Sequence, residues 1–128
     1  MTSLPPSVPL VLIVDDDEKN RKLARDVLRS AGLRTIEAAS GGEGVAVAAE
    51  LLPDVILLDL RLPDMDGTEV ASALRDGART GRIPVIALSA LRDDGDHDAL
   101  SAAGFAGRLE KPIDVRAFPG QVRSYCRS

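Results

Sequence analysis

Asp54-Val55-Ile56-Leu57-Leu58-Asp59-Leu60-Arg61-Leu62-Pro63 is the stretch whose reading decides the fold. Four branched apolar residues in a row, with Asp54 before them and a proline soon after, have the pattern of a strand buried on both faces of a parallel sheet. Asp59 stands at the exit of that strand. A carboxylate is costly to bury, and open α/β sheets bind ligands beyond the carboxyl ends of their strands, so the position suits chemistry. Taken alone, the stretch is better satisfied by a solvated aspartate in an ordinary strand-to-helix loop.

Two other stretches shift that balance. Leu10-Val11-Leu12-Ile13-Val14 is a second apolar strand that ends directly in Asp15-Asp16-Asp17, and Val85-Ile86-Ala87-Leu88 ends in Ser89. Strands that alternate with helices tend to be parallel, so carboxylates from two strands and a hydroxyl from a third converge on one crevice. Like charges that close repel and call for a cation. Hard carboxylate oxygens with few soft ligands nearby select magnesium (Mg2+).

The remaining segments supply the alternation. Leu23, Ala24, Val27, Leu28 and Ala31 recur at helical spacing, which predicts a helix from about Lys19 to Ala31 with Gly32 after it as a cap. Arg34 to Ala38 alternates like a partly exposed strand. Ser40-Gly41-Gly42-Glu43 offers a capping box for a second helix carrying Val45, Ala48, Ala49 and Leu52, ended by Pro53, and Asp66-Gly67-Thr68-Glu69 offers another for a helix with Val70, Ala73 and Leu74 inward. A fourth helix, over Arg92-Asp93-Asp94-Gly95-Asp96-His97-Asp98 and then Ala99 to Gly104, is weak at its start because it carries Gly95 and four aspartates there. Ala106 to Leu109 is a short last strand near Lys111-Pro112, and Phe118 to Cys126 is a last helix with Pro119 in its first turn. The expected fold is α/β: a doubly wound, five-stranded parallel sheet in the flavodoxin-like order 2-1-3-4-5, with five helices.

The chain's 128 residues make one domain, with residues 1–9, which hold three prolines, as a flexible leader and residues 10–128 as the folded unit. An apolar fraction of 45% and a charged fraction of 28% exclude gross disorder. Sixteen basic against 20 acidic residues leave a net charge of −4, which argues against direct nucleic-acid binding. The single cysteine, Cys126, cannot form an internal disulfide and fits a reducing compartment. With neither a membrane-length apolar run nor a signal-peptide pattern at Met1-Thr2-Ser3-Leu4, a cytoplasmic protein is expected.

Asp15-Asp16 after the first strand, Asp59 after the third with Pro63 and Gly67 downstream, Ser89-Ala90 after the fourth and Lys111-Pro112 after the fifth together resemble the receiver domain of two-component response regulators, of the single-domain, chemotaxis-regulator kind. The likeness runs from about Leu10 to Cys126. It implies that Asp59 is the phosphoacceptor in a phosphorelay, attacking the phosphohistidine of a histidine kinase or histidine phosphotransfer protein. It also implies that Asp16 and Asp59, with the backbone carbonyl of Arg61, hold magnesium, and that Asp15 acts through a metal-bound water. Lys111 would place its ammonium on a phosphoryl oxygen, aimed by a Lys111-Pro112 bond that is cis in many receivers, and Ser89 would donate a hydrogen bond to the same group. The output surface would be the fourth helix, fifth strand and fifth helix, read by a protein that the sequence does not name. Such a domain promotes its own phosphorylation and dephosphorylation and is not a turnover enzyme. With no residues for an effector, it is a stand-alone regulator or a piece of a longer chain.

Competing patterns are weaker. Asp64-Met65-Asp66-Gly67-Thr68 spells the DxDGT box of haloacid-dehalogenase-type phosphatases, so a small aspartyl-phosphate phosphatase using Asp64 and Asp66 is the enzyme alternative; in that family, however, the box directly follows a hydrophobic strand, and here Arg61-Leu62-Pro63 intervenes. A pseudo-receiver that only binds partners is the other alternative, opposed by the complete set of Asp15, Asp16, Asp59, Ser89 and Lys111. Asp94, Asp96 and Asp98 imitate a calcium loop without its turn glycine or closing glutamate, and His97 sits in that acidic run with no catalytic partner. The chain departs from the family pattern at Arg108, where receivers commonly place a switching aromatic. When Ser89 is drawn toward a phosphoryl group it should leave a small space beside the fifth strand, which a guanidinium could enter only by losing its water, so Arg108 is expected to remain outward and to pair with Asp93, Asp94, Asp96 or Asp98.

Overall fold

Apolar strands that project side chains alternately to two faces must be covered on both, and the computed structural model shows how this chain covers them. It describes residues 8–90, 102–111 and 113–126. The strands are β1 (Leu10–Val14), β2 (Arg34–Ala38), β3 (Val55–Asp59), β4 (Val85–Ala90) and β5 (Gly107–Lys111); the helices are α1 (Glu18–Ser30), α2 (Gly41–Leu51), α3 (Gly67–Asp76) and α4 (Phe118–Tyr125). All strand pairings are parallel, in the order β2-β1-β3-β4-β5. The doubly wound sheet expected from the sequence is borne out. Four helices stand among the described residues, and the start of the predicted helix before Gly104 falls on residues 91–101, outside them.

The period of two sorts the core into two layers. Leu12, Val14, Ile56, Leu58, Val85 and Ala87 face α2 and α3, where Ala48, Val70, Ala71 and Leu74 meet them with Phe105. Val11, Ile13, Val55, Leu57, Ile86, Leu88 and Leu109 face α1 and α4, covered by Ala24, Leu28, Phe118 and Val122. Every residue of β3 is buried, including Asp59. Replacing any of its leucines by alanine would cost about 2–5 kcal/mol, because both faces are filled.

Helix faces differ from the sequence reading in detail. Leu23 is 43% exposed, since α1 touches the sheet through Ala24 and Leu28, and a residue one step earlier is turned about 100° away. Ala49 is exposed on α2, and on α3 the buried alanine is Ala71, with Ala73 only partly covered. The last strand extends past Leu109 to Lys111, because its pairing with β4 continues to Ala90.

Candidate functional site

The strand order creates a crevice between β1 and β3. The chain leaves β1 through α1 toward β2 on one side, and leaves β3 through α3 toward β4 on the other, so nothing bridges the two strand ends. Val14 pairs with Leu58, which makes Asp15 and Asp59 neighbours one residue further on. Asp15, Asp16 and Asp59 each bring a carboxylate oxygen within 4.8 Å of the others'. Asp15 is 1% exposed and Asp59 8%, whereas Asp16 faces solvent.

Backbone geometry holds the two buried carboxylates. The Asp17 N–H donates to Asp15 Oδ1 at 2.9 Å, and the Arg61 N–H donates to Asp59 Oδ1 at 3.0 Å. Asp15 remains tied to the sheet through its own N–H, which donates to the Ala38 carbonyl, while its carbonyl accepts from Arg21 at 2.8 Å. Arg21 and Arg25 both grip Glu37, a flanking ion-pair cluster that the sequence reading missed because it joins α1 to β2. Asp17 is the N-cap of α1, accepting from the Lys19 and Asn20 N–H groups, and is thereby separated in role from Asp15 and Asp16.

The third polar group arrives from β4. Ser89 is 3% exposed, and its hydroxyl oxygen accepts a hydrogen bond from Arg108 Nε at 2.8 Å. This overturns the expectation that Arg108 stays outward. The Ser89 oxygen replaces the water that Nε gives up, and Arg108 is half-buried. The aspartates at 93, 94, 96 and 98 proposed as its partners lie outside the described residues. Lys111 is the last residue of β5, opposite Ala90; its side chain and Pro112, with the isomer of their bond, also lie outside.

Asp64 and Asp66 have structural employment. Asp64 Oδ1 accepts from the Gly41 N–H at 2.9 Å and Oδ2 from the Gly42 N–H at 3.0 Å, which fastens the loop after β3 to the first turn of α2. Asp66 is the N-cap of α3 in the capping box expected with Glu69. At α2 the expected box is altered: Ser40 Oγ accepts from Glu43 N–H, but Glu43 reaches back to the Ala39 N–H rather than to Ser40. Gly67 allows the return of the loop, since a Cβ there would stand 2.9 Å from Leu60 Cα. The phosphatase-like box is thus made of two helix-terminal carboxylates.

The model of the response regulator receiver domain matches residues 11–123. The chain belongs to the response regulator receiver family. This receiver is 40% identical over 115 residues to the polar-differentiation response regulator DivK of Brucella ovis, an overlap covering 90% of this chain and 94% of that one. Its fold is similar to the chemotaxis response regulator CheY4 of Vibrio cholerae, with a TM-score of 0.86 and 28% identity over 93% of this chain and 99% of that one. It is also similar to the receiver domain of the sensor histidine kinase PA1611 from Pseudomonas aeruginosa PAO1, described with a magnesium ion coordinated in its active-site cleft, at a TM-score of 0.83 and 30% identity over 93% and 98% of the two chains. As a receiver, the chain is a two-component signalling module, whose class of partner is histidine kinases and output proteins. No helix among the described residues is long and apolar enough to cross a membrane.

Proposed function

We propose that this receiver takes a phosphoryl group onto Asp59 from the phosphohistidine of a histidine kinase or a histidine phosphotransfer protein. The observation that carries the reading is the Asp59 carboxylate at the end of the central strand, held through Oδ1 by the Arg61 amide and grouped with Asp15 and Asp16. An Asp59 oxygen attacks phosphorus, an oxygen–phosphorus bond forms, the phosphorus–nitrogen bond breaks, and the imidazole nitrogen keeps the electron pair and takes up a proton. Fixing the carboxylate before the attack removes a rotational cost from the barrier.

Three carboxylates with hard oxygens at mutual distances of at most 4.8 Å fit a magnesium ion, which accepts one or two carboxylates and retains waters. Asp16, Asp59 and the Arg61 carbonyl would hold it directly and Asp15 through a water. When bound, the ion supplies positive charge against the carboxylates and the incoming phosphoryl oxygens. Ser89 donates to a phosphoryl oxygen and Lys111 pairs with another. Residues 10–128 act as one signalling unit, whose output surface includes β5 and α4.

The test is intact-mass analysis after incubation with acetyl phosphate and magnesium, where the phosphorus–oxygen bond to acetate breaks and acetate leaves with the electron pair. The wild type gains one phosphoryl group, and Asp59→Asn, which keeps the shape but is a far poorer nucleophile, gains none. Persistent labelling of Asp59→Asn at Asp64 or Asp66 would overturn the assignment in favour of the phosphatase-like box.

A further inference from the structure

Ser89 and Arg108 come from adjacent strands but not from opposite positions. Ser89 pairs with Glu110, and Arg108 pairs with Ala87. Parallel strands rise about 3.3 Å per residue, so the Arg108 side chain runs along the sheet toward its C-terminal edge to set Nε on Ser89 Oγ. Period two places both side chains on the same face of the sheet, the face of α2 and α3.

The direction of this bond has a chemical consequence. Arginine carries five N–H donors and no acceptor, so the bond uses a lone pair of the Ser89 oxygen and leaves the hydroxyl proton for a different acceptor. An oxygen that accepts from a cation becomes a stronger donor through its own proton, and Ser89 is shielded from the water that would weaken the effect. We propose that Arg108 is a positioning residue for phosphoryl transfer: it fixes and polarises the Ser89 hydroxyl so that its proton is presented to a phosphoryl oxygen on Asp59. The proposal rests on the phosphoacceptor reading of Asp59 and adds to it a route by which phosphorylation is felt on β5. Phosphoryl group and guanidinium are coupled through one oxygen atom, and no aromatic ring has to be buried.

A double-mutant cycle on the full chain tests this, with the rate of Asp59 labelling by acetyl phosphate as one readout and the Arg108 Nε–H signal of the unphosphorylated protein in proton–nitrogen NMR as the other. Arg108→Met keeps an apolar stem without a donor, and labelling should slow by roughly threefold to thirtyfold. Ser89→Ala should slow it as well, and Arg108→Met added to Ser89→Ala should slow it no further. Arg108→Lys, whose ammonium can reach the same oxygen, should recover most of the rate, which a merely space-filling role would not explain. The Nε–H signal should exchange slowly in the wild type and fast in Ser89→Ala. Wild-type rates in Arg108→Met, or losses that multiply in the double variant, would overturn the proposal. Should Arg108→Met fail to fold by circular dichroism, Arg108→Lys and the Nε–H comparison decide the same question. An Nε–H unchanged by Ser89→Ala overturns the pairing and this proposal while leaving the phosphoacceptor reading, whereas a wild type that is never labelled overturns the phosphoacceptor reading and this proposal with it.

Discussion

Asp64 shows how one carboxylate can be exposed and still specific in its partners. Its bonds from the Gly42 and Gly41 N–H groups, the former the larger contribution, hold the carboxyl below its ordinary value, against a smaller opposing effect of desolvation. The folded protein therefore releases this proton at a lower pH than the unfolded chain does. Between the two values the unfolded chain binds more protons, so the stabilisation is present above the unfolded value of about 4 and is lost as pH falls through the folded one. Asp64→Asn keeps one accepting oxygen and loses the charge. Its deficit against the wild type in urea midpoint should be full at neutral pH and should close as pH is lowered below about 4. A deficit that stayed constant down to acid pH would show that the charge does not act at α2. Arg108 makes the complementary point, since a cation expected in solvent is held by a neutral oxygen instead.

Among the elements, two glycines measure how closely a helix is packed. A Cβ at Gly44 would stand 2.9 Å and 3.1 Å from the two Cγ atoms of Val14, a residue with no exposed surface and no room to move. Alanine is better than glycine inside a helix by about 1 kcal/mol, but forcing a methyl group into a filled core costs about 1–3 kcal/mol. Gly44→Ala should therefore lower stability by about 1 kcal/mol net. In α4, a Cβ at Gly120 would meet nothing within 4 Å. Gly120→Ala should raise stability by about 0.5–1 kcal/mol, the helix preference alone. Chemical unfolding of the two variants checks the opposite signs, and a stabilising Gly44→Ala would mean that α2 can back away from β1.

For the molecule as a whole, the crevice at the strand ends sets stability against function. Asp15, Asp16 and Asp59 repel one another, so Asp16→Ala without magnesium should leave the protein at least as stable as the wild type. Magnesium at ten times its dissociation constant should stabilise the wild type by about 1.4 kcal/mol and Asp16→Ala by much less. Thermal melts with and without the ion read this, and equal gains in both proteins would remove Asp16 from the site. The sequence by itself determined the alternation of strands and helices, the parallel sheet and the meeting of Asp15 with Asp59, because apolar runs of strand length are local and right-handed crossovers leave few orders for five strands. Only the tertiary structure decided which long or charged side chain meets which partner. Arg108 is placed by the stagger of β5 against β4, Asp64 by a loop that returns to Gly41 and Gly42, and Leu23 by the roll of α1 on the sheet. Local pattern encodes period and polarity, whereas the partner of a long side chain depends on how packed elements are offset, and packing across the whole core sets that offset.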